Sequence, residues 1–309
     1  MKIQYKYVII AITIFLILFS SLIYWRGERG QENTASNVNS WEHVVIPSID
    51  PIDKSTDPPL TQPTEGADSS NVEEMMRTSR DYRVVYEALL RSGSPKARFY
   101  AKDILGRCFS LKNLGLREVP AITAQQDSAR QLQQERCGSF SSDELSFDTL
   151  RQVAVDPRFP KGLSEINEKW SKAGADPTRQ KEVFGEVLQA NDALLLQYIG
   201  SSLLSQHQES IKLGNVEFNG DSALDSMRLA WLAAVCEGTG TNCGAGDPYV
   251  VDACASLNLC EESRPLALRA LVAHKHGVTQ QSTFDTAYAL FVNAIQSRNA
   301  QMFFPEAKP

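Results

Sequence analysis

Histidine is scarce in this 309-residue chain, four in all, and the short motifs of the common catalytic families are missing. There is no G-x-S-x-G, no S-x-x-K, no H-E-x-x-H and no glycine-rich phosphate loop. These absences exclude the motif-bearing serine hydrolases, zincins and nucleotide enzymes, and no cofactor is implied. His274 and His276 are the one close histidine pair. Two residues apart on a helix they point to different faces, which speaks against a shared metal. In the last turn before Gly277, their charge suits the negative end of the helix dipole. Strand patterning is nearly absent too, with residues 211–218 the single candidate, a short hairpin.

Charge is missing from one long stretch. Between Lys6 and Arg26 no ionisable Lys, Arg, Asp or Glu occurs, and the run from Tyr7 to Tyr24 is apolar. As helix, at about 1.5 Å per residue, it spans roughly the 30 Å hydrocarbon core. Tyr5, Tyr7, Tyr24 and Trp25 flank it where amphipathic rings sit at the interface. Lys2 and Lys6 hold the leading segment on the cytoplasmic side. No small-x-small cleavage site follows, and no cysteine lies near its end, which excludes a lipoprotein signal. The expectation is an uncleaved, single-pass anchor over residues 1–25 in a bacterial inner membrane, with the bulk of the chain in the periplasm. A cleaved segment would make the chain secreted instead.

Residues 26–71 read as a disordered acidic linker rich in Pro, Ser and Thr. Residues 31–70 carry seven acidic groups and one lysine, and such a stretch buries too little apolar surface to order itself. Its reach as flexible coil is roughly 40 Å. Trp41-Glu42-His43-Val44-Val45-Ile46 departs from this composition, as a patch that docks on the chain's own domain, adds a strand to a partner, or is incidental. Residues 71–120 carry ten Lys and Arg against six Asp and Glu, an ordinary solvated surface or a face toward anionic lipid or an acidic partner. Outside the cytoplasm, nucleic acid is not an expected partner.

From residue 72 to residue 304 helix signals dominate, with possible subdomains over 72–156 and 157–304. Ser70-x-x-Glu73 and Ser141-x-x-Glu144 are capping boxes. The first predicts one helix carrying Met75, Tyr82, Val85, Tyr86 and Leu89 on a single face and stopping at Gly93. Ser94-Pro95, Asp176-Pro177, Asn191-Asp192, Ser222-x-x-Asp225, Asp247-Pro248 and Arg264-Pro265 open further helices. Phe284, Ala287, Tyr288, Phe291 and Ile295 form the stripe of the last one. The starts share turn chemistry without a fixed period, so the fold expected is all-α, an irregular stack of helical hairpins rather than a solenoid.

Six cysteines on an exported chain imply three bridges. Spacing pairs Cys236 with Cys243 and Cys254 with Cys260, leaving Cys108 for Cys137. Loop-closure estimates are roughly 2.5 kcal/mol for each short loop and about 3.6 for the long one. A zinc site from the last four cysteines lacks the tight C-x2-C knuckle. A helix starting near Pro120 places Cys137 about 26 Å from its start. The Cys108–Cys137 bridge therefore predicts a crossover through residues 109–119 rather than a tight turn.

The pattern W-x4-C-x6-C-x10-C-x5-C, formed by Trp231, Cys236, Cys243, Cys254 and Cys260, resembles a group of uncharacterised proteobacterial envelope proteins. The run Ala88-Leu89-Leu90-Arg91-Ser92-Gly93-Ser94-Pro95, with Cys108 and Arg136-Cys137-Gly138, is similar to the same group's first half. The helix starts are loosely similar to Sel1-like and tetratricopeptide hairpins. The resemblance covers most of residues 80–300 and implies fold and export, but no activity and no functional residue. The function expected is a non-enzymatic protein-interaction module with an envelope protein as partner. The alternatives are a cell-envelope hydrolase with a site assembled from distant residues, or an effector or toxin-associated protein. Glu262-Ser263 is similar to the start of the lytic transglycosylase motif, but the elements that follow it there are absent. No catalytic, cofactor-binding or metal residue is singled out.

Overall fold

A computed structural model describes residues 72–114, 120–207 and 209–304, all within one compact unit. The segment from Tyr7 to Tyr24, the linker 26–71 with its Trp41 to Ile46 patch, and Ser70 of the first capping box lie outside the described residues. No described helix is long and apolar enough to cross a membrane.

The described residues are mostly helical. In chain order they form α1 (Val72–Thr78), α2 (Tyr82–Ser92), α3 (Ala97–Leu114), α4 (Ala124–Gly138), α5 (Phe147–Val155), α6 (Gly162–Ala173), α7 (Pro177–Ala190) and α8 (Ala193–Ser205). A hairpin, β1 (Ser210–Leu213) and β2 (Val216–Asn219), pairs Ile211 with Phe218. Then come α9 (Asp221–Thr239), α10 (Pro248–Leu257), α11 (Arg264–His276) and α12 (Gln281–Gln296).

Cap chemistry places most of these starts. The carboxylates of Asp176, Asp192 and Asp247 accept backbone N–H groups in the first turns of α7, α8 and α10, each worth about 1 kcal/mol. Three readings need correction. The single helix expected before Gly93 is two, because the Ser79 hydroxyl bonds both the N–H and the carbonyl of Asp81, and the Asp81 carboxylate caps a new start at Tyr82 by accepting the Arg83 N–H. Such local side-chain bonds compete with the helix ladder. Ser141 and Glu144 do form the reciprocal box, but it closes a turn. The helix itself begins at Phe147 behind Ser146, whose hydroxyl accepts from Thr149 N–H. Ser222-x-x-Asp225 forms no cap, since Asp225 reaches across to Lys275 and His276 instead.

The main core draws on residues from Val72 to Phe303, and Val250 and Ala253 of α10 form a small separate cluster with Ala267 of α11. α9 lies at the centre of the main core, packed on α8, α11 and α12. Trp231 is fully buried there, ringed by Phe291 and Phe303 at 5.2 and 5.6 Å between centroids. Burying a ring of that size contributes roughly 4–6 kcal/mol as an upper bound. The indole N–H donates to the Leu196 carbonyl at 3.2 Å. Gly200, one turn on along α8, leaves the space the indole occupies, for a Cβ built there would lie 2.1 Å from Trp231 ring atoms.

Three disulfides join Cys108 to Cys137, Cys236 to Cys243 and Cys254 to Cys260, the partners that spacing pairs. Cys108 is wholly buried on α3. α4 packs chiefly on α10 rather than along α3, so α3 and α4 are not a tight antiparallel hairpin, but the crossover expected through residues 109–119 needs correction: α3 continues as helix to Leu114, and α4 starts only at Ala124.

Two predictions follow from these contacts. Gly200→Ala, which in an ordinary helix interior would stabilise, is expected here to cost about 1–3 kcal/mol by overpacking. That lowers Tm by about 2–10 °C, and an unchanged or raised Tm would refute the Gly200–Trp231 packing. Glu144 is held down from its ordinary 4.5 to about 2 by the Arg83 guanidinium and the Ser141 backbone N–H. Its contribution to stability is therefore full above pH 4.5 and disappears as pH falls toward 2. Urea unfolding of Glu144→Gln should show lower stability at pH 7 and a flatter pH dependence across that window. Parallel curves for variant and wild type would count against the assignment.

Candidate functional site

α3, α4, α8 and α10 surround a cleft of about 790 Å³, within the range of small-molecule and peptide pockets. α3 contributes Asp103 and Arg107, one turn apart. Arg107 Nε donates to Asp103 Oδ2 at 2.7 Å, and the Tyr198 hydroxyl of α8 donates to Oδ1 at 2.8 Å. Both oxygens of the buried Asp103 carboxylate are thereby engaged. α10 contributes Tyr249, whose ring centroid lies 5.5 Å from the Arg107 guanidinium, and Asp252, with Oδ2 4.0 Å from Arg107 Nη1. The other Asp252 oxygen accepts from Gln133 Nε2 of α4 at 2.5 Å. Arg136, one turn beyond Gln133, lies over the Tyr82 ring at 5.1 Å. It donates to the carbonyls of Ser79, Arg77 and Gly246.

Enclosure sets the ionisation here. Burial, and then Asp103, pushes the Tyr198 hydroxyl well above the ordinary tyrosine range although its ring is half-exposed. Burial works against the Arg107 charge, but Asp103, Tyr249 and Asp252 outweigh it and the guanidinium is held more firmly protonated. Burial raises the Asp252 carboxyl against the pull of Arg107 and Gln133, and since that side chain keeps 54% of its exposure, cleft solvent moderates the effect. Burial raises Tyr82 and lowers Arg136.

Two groups on the cleft wall stand out. The Tyr82 hydroxyl and the Gln133 Oε1 are buried without a hydrogen-bond partner, on residues 3% and 7% exposed, and both residues line the cleft. An unpartnered buried polar atom costs about 1–3 kcal/mol.

Behind the cleft lies a second polar layer. Arg264 and Asp247 form a buried bidentate pair at 3.0 and 2.5 Å, and Arg264 also stacks over Tyr249 at 4.7 Å. Lys96 Nζ is 2.9 Å from both Glu73 and Asp192, and the Tyr100 hydroxyl donates to Glu73 at 2.5 Å. Asp192 is raised by its burial, against Lys96 and the Leu195 N–H. This cluster anchors the start of α8 and so positions Tyr198.

Of the residues singled out by sequence, all six cysteines are in bridges, and Cys137 lines the cleft as a cystine. His276 meets Asp225 at 2.7 Å at the end of α11, apart from the cleft. Glu262 is exposed on the loop before α11. No cluster of three or more His, Cys, Asp or Glu suited to a metal occurs among the described residues. The basic excess of residues 71–120 is partly met from outside that stretch: Arg80, Arg83 and Lys96 pair with Glu135, Glu144 and Asp192. The cleft residues carry no motif. The one available signal was Arg107, a charge next to the buried Cys108 of α3.

Comparison with protein-family models, curated proteins and solved structures gives no match for this chain.

Arg264→Met tests the layer behind the cleft. It leaves Asp247 buried without its cation, and the expected loss is about 3–5 kcal/mol, read from urea unfolding midpoints. A loss below 1 kcal/mol would show that the pair does not support the domain.

Proposed function

We propose that the chain is a membrane-anchored binding module of the bacterial envelope. In this reading the segment from Tyr7 to Tyr24 holds it in the inner membrane and residues 26–71 act as a tether. The periplasmic domain, an irregular stack of helical hairpins stapled by disulfides, receives a segment of a partner protein in the α3/α4/α8/α10 cleft without transforming it. The uncharged run from Tyr7 to Tyr24 and the pairing of all six cysteines support the location. The observation that carries the binding role is the state of the cleft's charged groups. Asp103 is bonded to Arg107 and Tyr198, and Asp252 to Gln133, while Arg136 is bonded to three carbonyls. General acid–base work needs a group that exchanges its proton with substrate, whereas fixed, mutually satisfied charges serve recognition and orientation.

One observation favours an envelope hydrolase as a second reading. Asp103 and Asp252 approach the same Arg107 at 2.7 and 4.0 Å, and Asp252 is shifted toward its protonated form. Two carboxylates facing one cleft are a pattern of glycoside cleavage.

The test is crosslinking in the native envelope with the tagged full-length chain and with Ser201→Trp, which fills the cleft from α8. A partner recovered with wild type and lost with a folded Ser201→Trp is the expected result. Release of cell-wall fragments by wild type, abolished in Asp252→Asn, would replace the binding reading by the hydrolase.

A further inference from the structure

We propose that the wall of the cleft around Tyr82, Gln133 and Arg136 is a subsite that reads the C-terminal carboxylate of a peptide. This deepens the reading of the cleft as a docking site and rests on it. Three groups define what the subsite lacks. Gln133 commits its Nε2 to Asp252, which fixes the amide orientation and leaves Oε1 as an acceptor without a donor. The hydroxyl of Tyr82, whose ring lies under the Arg136 guanidinium, has no partner. Arg136 uses Nε and Nη2 on three backbone carbonyls, and forms no ion pair among the described residues. Those carbonyls are neutral, so the guanidinium charge meets only the longer-range pull of Asp252 and Asp247.

The complement is a group with an anionic oxygen for Tyr82 and Arg136 and, close by, an N–H for Gln133. The last residue of a peptide offers both, its carboxylate and its own amide, a few ångströms apart. Phosphate and sulfate bring acceptors alone and leave Gln133 unmet. An ammonium group brings donors alone and meets Arg136 with like charge. A neutral sugar hydroxyl can donate and accept but leaves the arginine charge unanswered. The half-exposed ring of Tyr198 and the side chain of Val251 give the preceding residues apolar wall to lie on.

The experiment uses the full-length chain in detergent and an array of random-sequence hexapeptides, shown once with free C-termini and once with the same C-termini amidated. The expected result is binding to a subset of free-terminus peptides, weakened about tenfold or more by amidation, as for loss of a charge-assisted hydrogen bond. Tyr82→Phe should weaken binding by a similar factor while leaving Tm unchanged or raised, since the hydroxyl it removes has no partner in the domain. Gln133→Met gives the same reading should Tyr82→Phe fail to fold. Equal binding of free and amidated peptides, or full binding by both variants, would overturn the carboxylate subsite while leaving the docking role of the cleft intact. Binding of chitooligosaccharide with no hexapeptide bound would overturn both.

Discussion

The contact on which the cleft depends is the guanidinium of Arg264. From the first turn of α11 it holds both oxygens of Asp247, reaches the Gln197 side chain and the Leu232 carbonyl, and lies over Tyr249. α8, α9, α10 and α11 thus meet at one side chain. Asp247 is at the same time the N-cap of α10. The direction in which α10 leaves that cap decides where Tyr249 and Asp252 stand, and with them the position of Arg107. A buried ion pair is weak evidence for net stability, because two desolvated charges recover little more than they lose. What it fixes is geometry: the planar guanidinium accepts one arrangement of its partners, where an apolar contact would accept several.

The cystines make sense against that requirement. Cys243 precedes Asp247 by four residues and Cys260 precedes Arg264 by four. An antiparallel bridge joins Gly244 to Ser263, and the Arg264 N–H donates to the Cys243 carbonyl at 2.9 Å. The two short disulfides therefore bracket the backbone that presents the ion pair to itself. Their loops are short, so each removes a modest loop entropy from the unfolded chain. Their local effect is to restrict the loops between α9, α10 and α11, which carry no apolar stripe of their own. The longer Cys108–Cys137 bridge has another task. It joins the core-buried face of α3 to the end of α4, and so sets Arg136 against the Arg77 and Ser79 carbonyls.

Much of the helix framework was legible in the sequence, because it rests on local chemistry. Asp176, Asp192 and Asp247 cap the helices that their Pro or apolar followers suggest, and the Phe284 to Ile295 stripe reports its buried face directly. Errors arose where a polar side chain had two choices. Ser79 and Asp81 bond locally and split a helix, while Asp225 gives up a cap for Lys275 and His276. The cleft was not legible, for a related reason. α4 reads AQQDSARQLQQERCG, a solvated helix by pattern, yet Gln126, Gln133 and Arg136 are buried on it. Gln126 donates to the Ala255 carbonyl at 3.2 Å, and Gln133 to Asp252. The α4–α10 interface is built partly from hydrogen bonds whose partners lie more than a hundred residues away, and hydrophobic periodicity is silent about such contacts.

That polar interface has a consequence for how the domain balances stability against recognition. An apolar α4 would pack on α10 at lower cost and would leave no amide oxygen unmatched there. The chain instead keeps Tyr82 and Gln133 with unpartnered atoms, together a penalty of about 2–6 kcal/mol. The three loop closures supply a compensating stabilisation of the same order, roughly 2.5, 2.5 and 3.6 kcal/mol. A fold held by an aromatic core around Trp231 and closed by cystines tolerates a strained polar wall that a marginal helical bundle would not. Departures from local consistency of this kind concentrate where a surface is kept for something other than folding. In this chain two of them, Tyr82 and Gln133, share one wall of the cleft, while Arg98, Arg228 and Gln280 carry unpartnered atoms elsewhere among the described residues.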